Sequence, residues 1–173
     1  MKVISSFPCL GKTTICNLNK ERCFDRQFDI RRSVQSMGQI ECLKFFDACA
    51  DMILLQYKVD AYEIMFIDND DRLIKRVAND PAIKKDMVLV FPNVNDRNIM
   101  EEYVIRTSGF YGAAWVNKNL KSELDALPAR IKSFIDEGYD VRLTNLSQKY
   151  IHEVMNLPVG FITPGDEDRN SIF

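Results

Sequence analysis

Histidine is almost missing from this chain: His152 is the only one among 173 residues. The five cysteines, at 9, 16, 23, 42 and 49, are odd in number and contain no C-x-x-C pair. With one histidine far from them in sequence, no zinc site is expected. Free thiols in a reducing cytosol are expected, and the seven-residue spacing of Cys9, Cys16 and Cys23 is read as coincidence. No run of ~18 apolar residues occurs, the length a membrane-spanning helix needs. The N-terminus turns polar too soon for a signal peptide, so a cytoplasmic location and no membrane partner are expected. Charge of one sign is also lacking: the net is −2, which argues against a general nucleic-acid binder. Repeats and low-complexity tracts are absent. What remains is the composition of an ordinary globular domain, 46% hydrophobic and 28% charged.

The informative stretch is the first fourteen residues. Val3 and Ile4 read as a short buried strand, a tight loop follows, and a helix opens near Lys12. Gly11-Lys12-Thr13 are the last three positions of the phosphate-binding pattern G-x-x-x-x-G-K-[ST]. The pattern's first glycine falls on Ser6. Amide N–H groups of such a loop and of the helix start face an anion. The candidate phosphate-binding set is therefore Ser6, Cys9, Leu10, Gly11, Lys12, Thr13 and Thr14. Gly11 allows close backbone approach, Lys12 reaches the β- and γ-phosphates of a nucleotide, and the Thr13 hydroxyl binds Mg²⁺. Serine at position 6 is harmless where its φ is negative and costs ~1 kcal/mol or more where φ is positive. Cys9, inside the loop, is a candidate oxidation-sensitive thiol.

Strands and helices alternate, which predicts an α/β layered fold with a mostly parallel sheet of roughly five strands. Strands are expected at 2–5, 22–25, 62–67, 87–91 and 139–143, the third and fourth as continuous apolar runs. Helices are expected at 12–19, 40–57, 70–79, 95–107, 122–136 and 148–155. Leu43, Phe46, Ala50, Ile53, Leu54 and Tyr57 fall at helical spacing. Pro81 is expected to stop one helix and Pro128 to break another. Residues 26–38 read as a polar loop, and 108–120, with Gly109 and Gly112, as a mobile segment able to close as a lid. The domain is expected over 1–160 and an acidic disordered tail over 161–173.

Further candidates lie beside the loop. Asp68, at the end of a strand, is placed to join Thr13 around a metal ion, with helix capping by Asp68, Asn69 or Asp70 as the competing role. In the stretch 25–32, Asp29 and Arg32 are candidates for substrate binding. Arg106 is the candidate cation for transferred charge. Arg72, Lys75 and Arg76 read as an exposed helix face. Phe110, Tyr111 and Trp115 read first as core and second as a surface to stack a base. His152 reads as structural.

These residues resemble a known group. The run Lys2 to Thr13, with Leu89–Pro92, 101–106 and the stretch from Leu143 to Val154, is similar to the small P-loop proteins of tailed bacteriophages described as nucleotide kinase-like, or as deoxynucleoside monophosphate kinases. That family commonly lacks the first glycine too. Its second motif, rich in Asp and Ser, is answered in part by Asp25 or Asp29, and a second arginine after the one matched by Arg106 has no counterpart in 107–112. The resemblance implies a three-layer α/β/α P-loop fold and ATP-dependent phosphoryl transfer, with Mg²⁺, to a small nucleotide such as a (deoxy)nucleoside monophosphate. Lys12 and Arg106 would be catalytic and Thr13 and Asp68 would hold the metal. The alternatives are a polynucleotide 5′-kinase, an ATPase, or a non-catalytic P-loop module that binds a host or viral protein through the tail 165–173. A pocket beside Lys12 favours the kinase, and a side chain seated in the phosphate position favours the binding module.

Overall fold

The computed structural model describes residues 1–25 and 36–163. Five strands, β1 (Lys2–Ser6), β2 (Cys23–Asp25), β3 (Ile64–Ile67), β4 (Met87–Phe91) and β5 (Asp140–Leu143), form one sheet in the order β2-β3-β1-β4-β5. Every neighbouring pair is parallel. Parallel pairs require crossover connections, and helices supply them. These are α1 (Lys12–Leu18), α2 (Gln39–Val59), α3 (Asp71–Val77), α4 (Pro81–Asp86), α5 (Arg97–Tyr111), α6 (Ala113–Asn119), α7 (Lys121–Asp136) and α8 (Ile151–Val154). In β3 and β4 every consecutive residue is buried. Successive side chains of a strand point to opposite faces, so both faces of the sheet are covered.

The helix ends follow local chemistry. Asp70 caps α3 by accepting from the N–H groups of Arg72 and Leu73, Asp80 caps α4, and Asp96 caps α5. Pro81 does not merely stop the preceding helix. It takes the first position of α4, where its missing N–H costs nothing. Pro128 lies inside an unbroken α7. The segment expected to be a mobile lid is helical instead: α5 runs on to Tyr111, and α6 follows after one residue, Gly112. On α2 the buried face is Phe46, Cys49, Ala50 and Ile53, while Leu43 stands exposed.

The core centres on aromatic rings behind β1 and β4. Phe7 lies 6.1 Å from Phe91 and 5.9 Å from Tyr103, and Phe91 stacks 6.2 Å from Phe134. Phe7 directly follows β1 and is fully buried, so it holds the start of the next loop to the core. Removing its ring leaves a cavity that its neighbours cannot close. Phe7→Ala is expected to lower the unfolding free energy by ~3–5 kcal/mol, read as a fall in the urea midpoint at unchanged slope.

Candidate functional site

Parallel strands end on one edge, so the connections after β1, β3, β4 and β5 share one side of the sheet. From β1 the chain passes to β2 and β3 on one side and then to β4 on the other. Such a switch point leaves a crevice at the strands' C-terminal ends. An open cleft of about 1380 Å³ lies there, lined by the whole of 6–14 together with Asp68, Arg106 and Arg130.

The loop is fixed from behind. Phe7 N–H donates to Val90 O at 2.9 Å. Three successive carbonyls then take donors from elsewhere in the chain. Tyr103 Oη donates to Pro8 O at 3.0 Å, the Arg106 guanidinium to Cys9 O, and Ile151 N–H to Leu10 O at 2.9 Å. Burial pushes the Tyr103 phenol up, which keeps it a donor. Among the described residues no group accepts from the amides of Leu10, Gly11 and Lys12. No described side chain is thus seated on these amides.

Ser6 belongs to β1 and sits opposite Val90 in the sheet register. Its backbone is that of a strand. The left-handed residues of the loop are Cys9 (φ 58°) and Gly11 (φ 88°). The missing first glycine therefore costs nothing, and the strained non-glycine residue is Cys9. At Gly11 it is the positive φ that favours glycine, since a Cβ there would meet the Tyr150 ring only at ordinary contact distance, 3.5 Å.

Two carboxylates from neighbouring strand ends converge on α1. Lys12 Nζ lies 3.4 Å from Asp25 Oδ1 and 3.7 Å from Asp68 Oδ1. Thr13 Oγ1 donates to Asp25 Oδ2 at 3.3 Å. The Asp25 side chain is only 6% exposed. Its Oδ1 is buried without a hydrogen bond, since the Lys12 contact is an ion pair outside hydrogen-bond geometry. Asp70 does the capping of α3, so the competing role is taken and Asp68 faces Lys12. Ser5 Oγ holds Asp68 in place by donating to its carbonyl at 3.3 Å.

Of the candidates, Ser6, Cys9, Leu10, Gly11, Lys12, Thr13, Thr14, Asp68 and Arg106 all line the cleft. Asp29 and Arg32 lie outside the described residues, as does 164–173. Arg106 is engaged by Glu102 and by Cys9 O, and stacks 4.7 Å over Tyr150. These bonds do not exhaust the guanidinium's donors. Asp25 and Arg130 join the site without having been assigned to it. The argument that found Asp68, an acid at a strand end, applies equally to Asp25 as the last residue of β2. Arg130 donates to Asn69 O at 3.2 Å and to Asp71. Arg72 pairs with Asp70 and also reaches the cleft.

Cys9 is a poor redox sensor. Burial pushes its thiol up, against the opposing pull of Thr107 and Arg106. The reactive form is the thiolate, so little of it exists near neutrality. Alkylation of Cys9 by iodoacetamide is expected to be slower than that of a free thiol at pH 7.5, and to keep rising with pH beyond 9, read by peptide mass spectrometry. Ser6→Gly is expected to gain no stability and to lose ~0.5–1 kcal/mol through added strand entropy, read by thermal unfolding.

Among the described residues no helix is long and apolar enough to cross a membrane. No family model, no curated protein and no solved structure matches the chain.

Proposed function

We propose that the chain is an ATP-dependent phosphotransferase of P-loop, nucleotide kinase-like fold whose acceptor is a small nucleotide, a (deoxy)nucleoside monophosphate. The observation that carries this reading is the convergence of Lys12, Thr13, Asp25 and Asp68 at the mouth of a loop whose carbonyls are turned away. Lys12 and the loop amides bind the β- and γ-phosphates of ATP. Arg106, whose guanidinium already meets the loop, offers its remaining donors to the transferred group. The acceptor's phosphate oxygen forms the new P–O bond as the bond between the γ-phosphorus and the β,γ-bridging oxygen breaks, and ADP leaves. The chain contributes positioning and charge, and needs no nucleophile of its own. That accords with a site that holds no histidine.

A divalent ion fits the donor set. Asp25, Asp68 and the Thr13 hydroxyl are hard oxygen donors, and one Asp25 oxygen is buried without a hydrogen bond. No cluster of three or more His, Cys, Asp and Glu suited to a metal occurs among the described residues. Mg²⁺ asks for none, since it binds through one or two carboxylates plus substrate phosphates and keeps several waters. Bound there, it would neutralise phosphate charge. The open mouth of the cleft, with no described side chain on the loop amides, favours a transferase over a non-catalytic module.

The test is a panel of ribo- and deoxyribonucleoside monophosphates incubated with radiolabelled ATP and Mg²⁺. Transfer to at least one acceptor is expected, with Lys12→Ala at least ~10²-fold slower, as removal of one transition-state donor generally is. Asp25→Asn and Asp68→Asn are expected to raise the Mg²⁺ concentration needed for half-maximal rate. Absence of transfer to every acceptor, with ATP binding unchanged in Lys12→Ala, would remove the reading.

A further inference from the structure

Aromatic rings usually hide their faces in a core, so an exposed group of them inside a cleft asks for a ligand. Phe110 is 76% exposed and Tyr111 43% exposed. Tyr111 stacks on Trp115 with ring centroids 4.2 Å apart and 25° between the planes, and Phe110 meets Tyr111 edge-on at 4.8 Å. All three line the cleft that the 6–14 loop lines. Gly112 makes the arrangement. Its φ of 88° turns the chain between α5 and α6 and lets the rings on either side meet.

The cleft extends from there along one face of α7. Glu123, Ala126 and Arg130 recur at helical spacing and all line it. Seven residues of helix carry Arg130 ~10 Å beyond Glu123. Arg72 and Arg130 line the cleft as well as Lys12 and Arg106, and Arg130 donates to the carbonyl of Asn69, the residue after Asp68. Cations beyond Lys12 and Arg106 suit a second phosphate-bearing ligand, and aromatic faces fit a base, to which each stacking contact is worth ~1–3 kcal/mol.

We propose that Phe110, Tyr111 and Trp115 form the stacking platform for the base of the acceptor nucleotide, with Arg130 as a cation for its phosphate. This rests on the phosphotransferase reading and adds to it which residues select the acceptor. The platform tolerates either ring class, because every base has a π-face, and it discriminates against phosphorylated sugars that have none.

Trp115 is the chain's single tryptophan, so its fluorescence reads the platform directly. Titration with deoxynucleoside monophosphates is expected to quench it saturably, and ribose 5-phosphate and inorganic phosphate are expected to leave it unchanged. Phe110→Ala, at an exposed position, is expected to weaken the apparent affinity about tenfold, with circular dichroism unaltered. In Lys12→Ala, ATP binding is lost and the mononucleotide quench persists. A quench by ribose 5-phosphate equal to that by the nucleotide, or an affinity untouched by Phe110→Ala, overturns the proposal. So does a quench by ATP that vanishes in Lys12→Ala while mononucleotides give none, which assigns the platform to the donor. A single-stranded oligonucleotide that saturates at far lower concentration than the mononucleotide overturns the assignment to a small acceptor. Loss of phosphoryl transfer with the mononucleotide quench intact counts against the transferase reading and leaves the platform standing.

Discussion

Everything at the C-terminal edge of the sheet depends on how residues 7–10 are held. Phe7 is sunk among Phe91 and Tyr103, and the carbonyls of Pro8, Cys9 and Leu10 are each taken by a donor from α5 or α8. A trans peptide is planar, and its C=O and the following N–H point in opposite directions. Turning three carbonyls toward the protein therefore turns the amides of Cys9, Leu10 and Gly11 the other way. The same clamps sustain the left-handed backbone at Cys9, a conformation that costs ~1–3 kcal/mol in a residue other than glycine. Concavity at this loop is thus imposed from outside it, by Tyr103, Arg106 and Ile151, as well as by the left-handed turn at Gly11.

Lys12 between Asp25 and Asp68 is the electrostatic counterpart of that clamp. At these separations the gross attraction of each pair is ~4 kcal/mol at an effective dielectric of 20. Desolvation of partly buried charges takes back much of it. The pairs consequently contribute more to where Lys12 points than to how stable the fold is. On the proposed reading a nucleotide phosphate replaces the carboxylates as partner to Lys12, and the carboxylates turn to the divalent ion. No group has to be created or moved far. Cation and carboxylates exchange partners within one contact shell.

The sheet was legible because β3 and β4 are continuous apolar runs, and only strands covered on both faces look like that. The helix starts were legible where an aspartate precedes an apolar periodic stretch, as at Asp70 and Asp96. Four features were not. Pro81 carries the same local signal whether it ends one helix or begins the next, and the choice depends on whether Asp80 finds an amide to cap. The stretch 108–120 contains two glycines, which lower helix propensity, yet packing of Tyr103, Thr107 and Val116 against the core overrides it. Leu43 fits the apolar face of α2 by spacing but lies on the exposed side, because periodicity gives a stripe and not its edges. Asp25 was visible as a residue and hidden as a partner, since nothing in sequence says that the ends of β2 and β3 face the same lysine.

The chain's net charge of −2 is a poor guide to what the cleft binds. Among the described residues four cations line it, and each is already matched by carboxylate: Lys12 by Asp25 and Asp68, Arg72 by Asp70, Arg106 by Glu102, and Arg130 by Asp71. Such a cleft projects little long-range field, so it does not gather polyanions by steering. On the proposed reading its selectivity comes from directional donors at fixed places, the loop amides and the guanidinium N–H groups, and from aromatic faces that reward a planar ring. Those are the recognition elements of a small phosphorylated ligand carrying a base. On the proposed reading, directional donors rather than net charge are what let a chain of net charge −2 take a small anion.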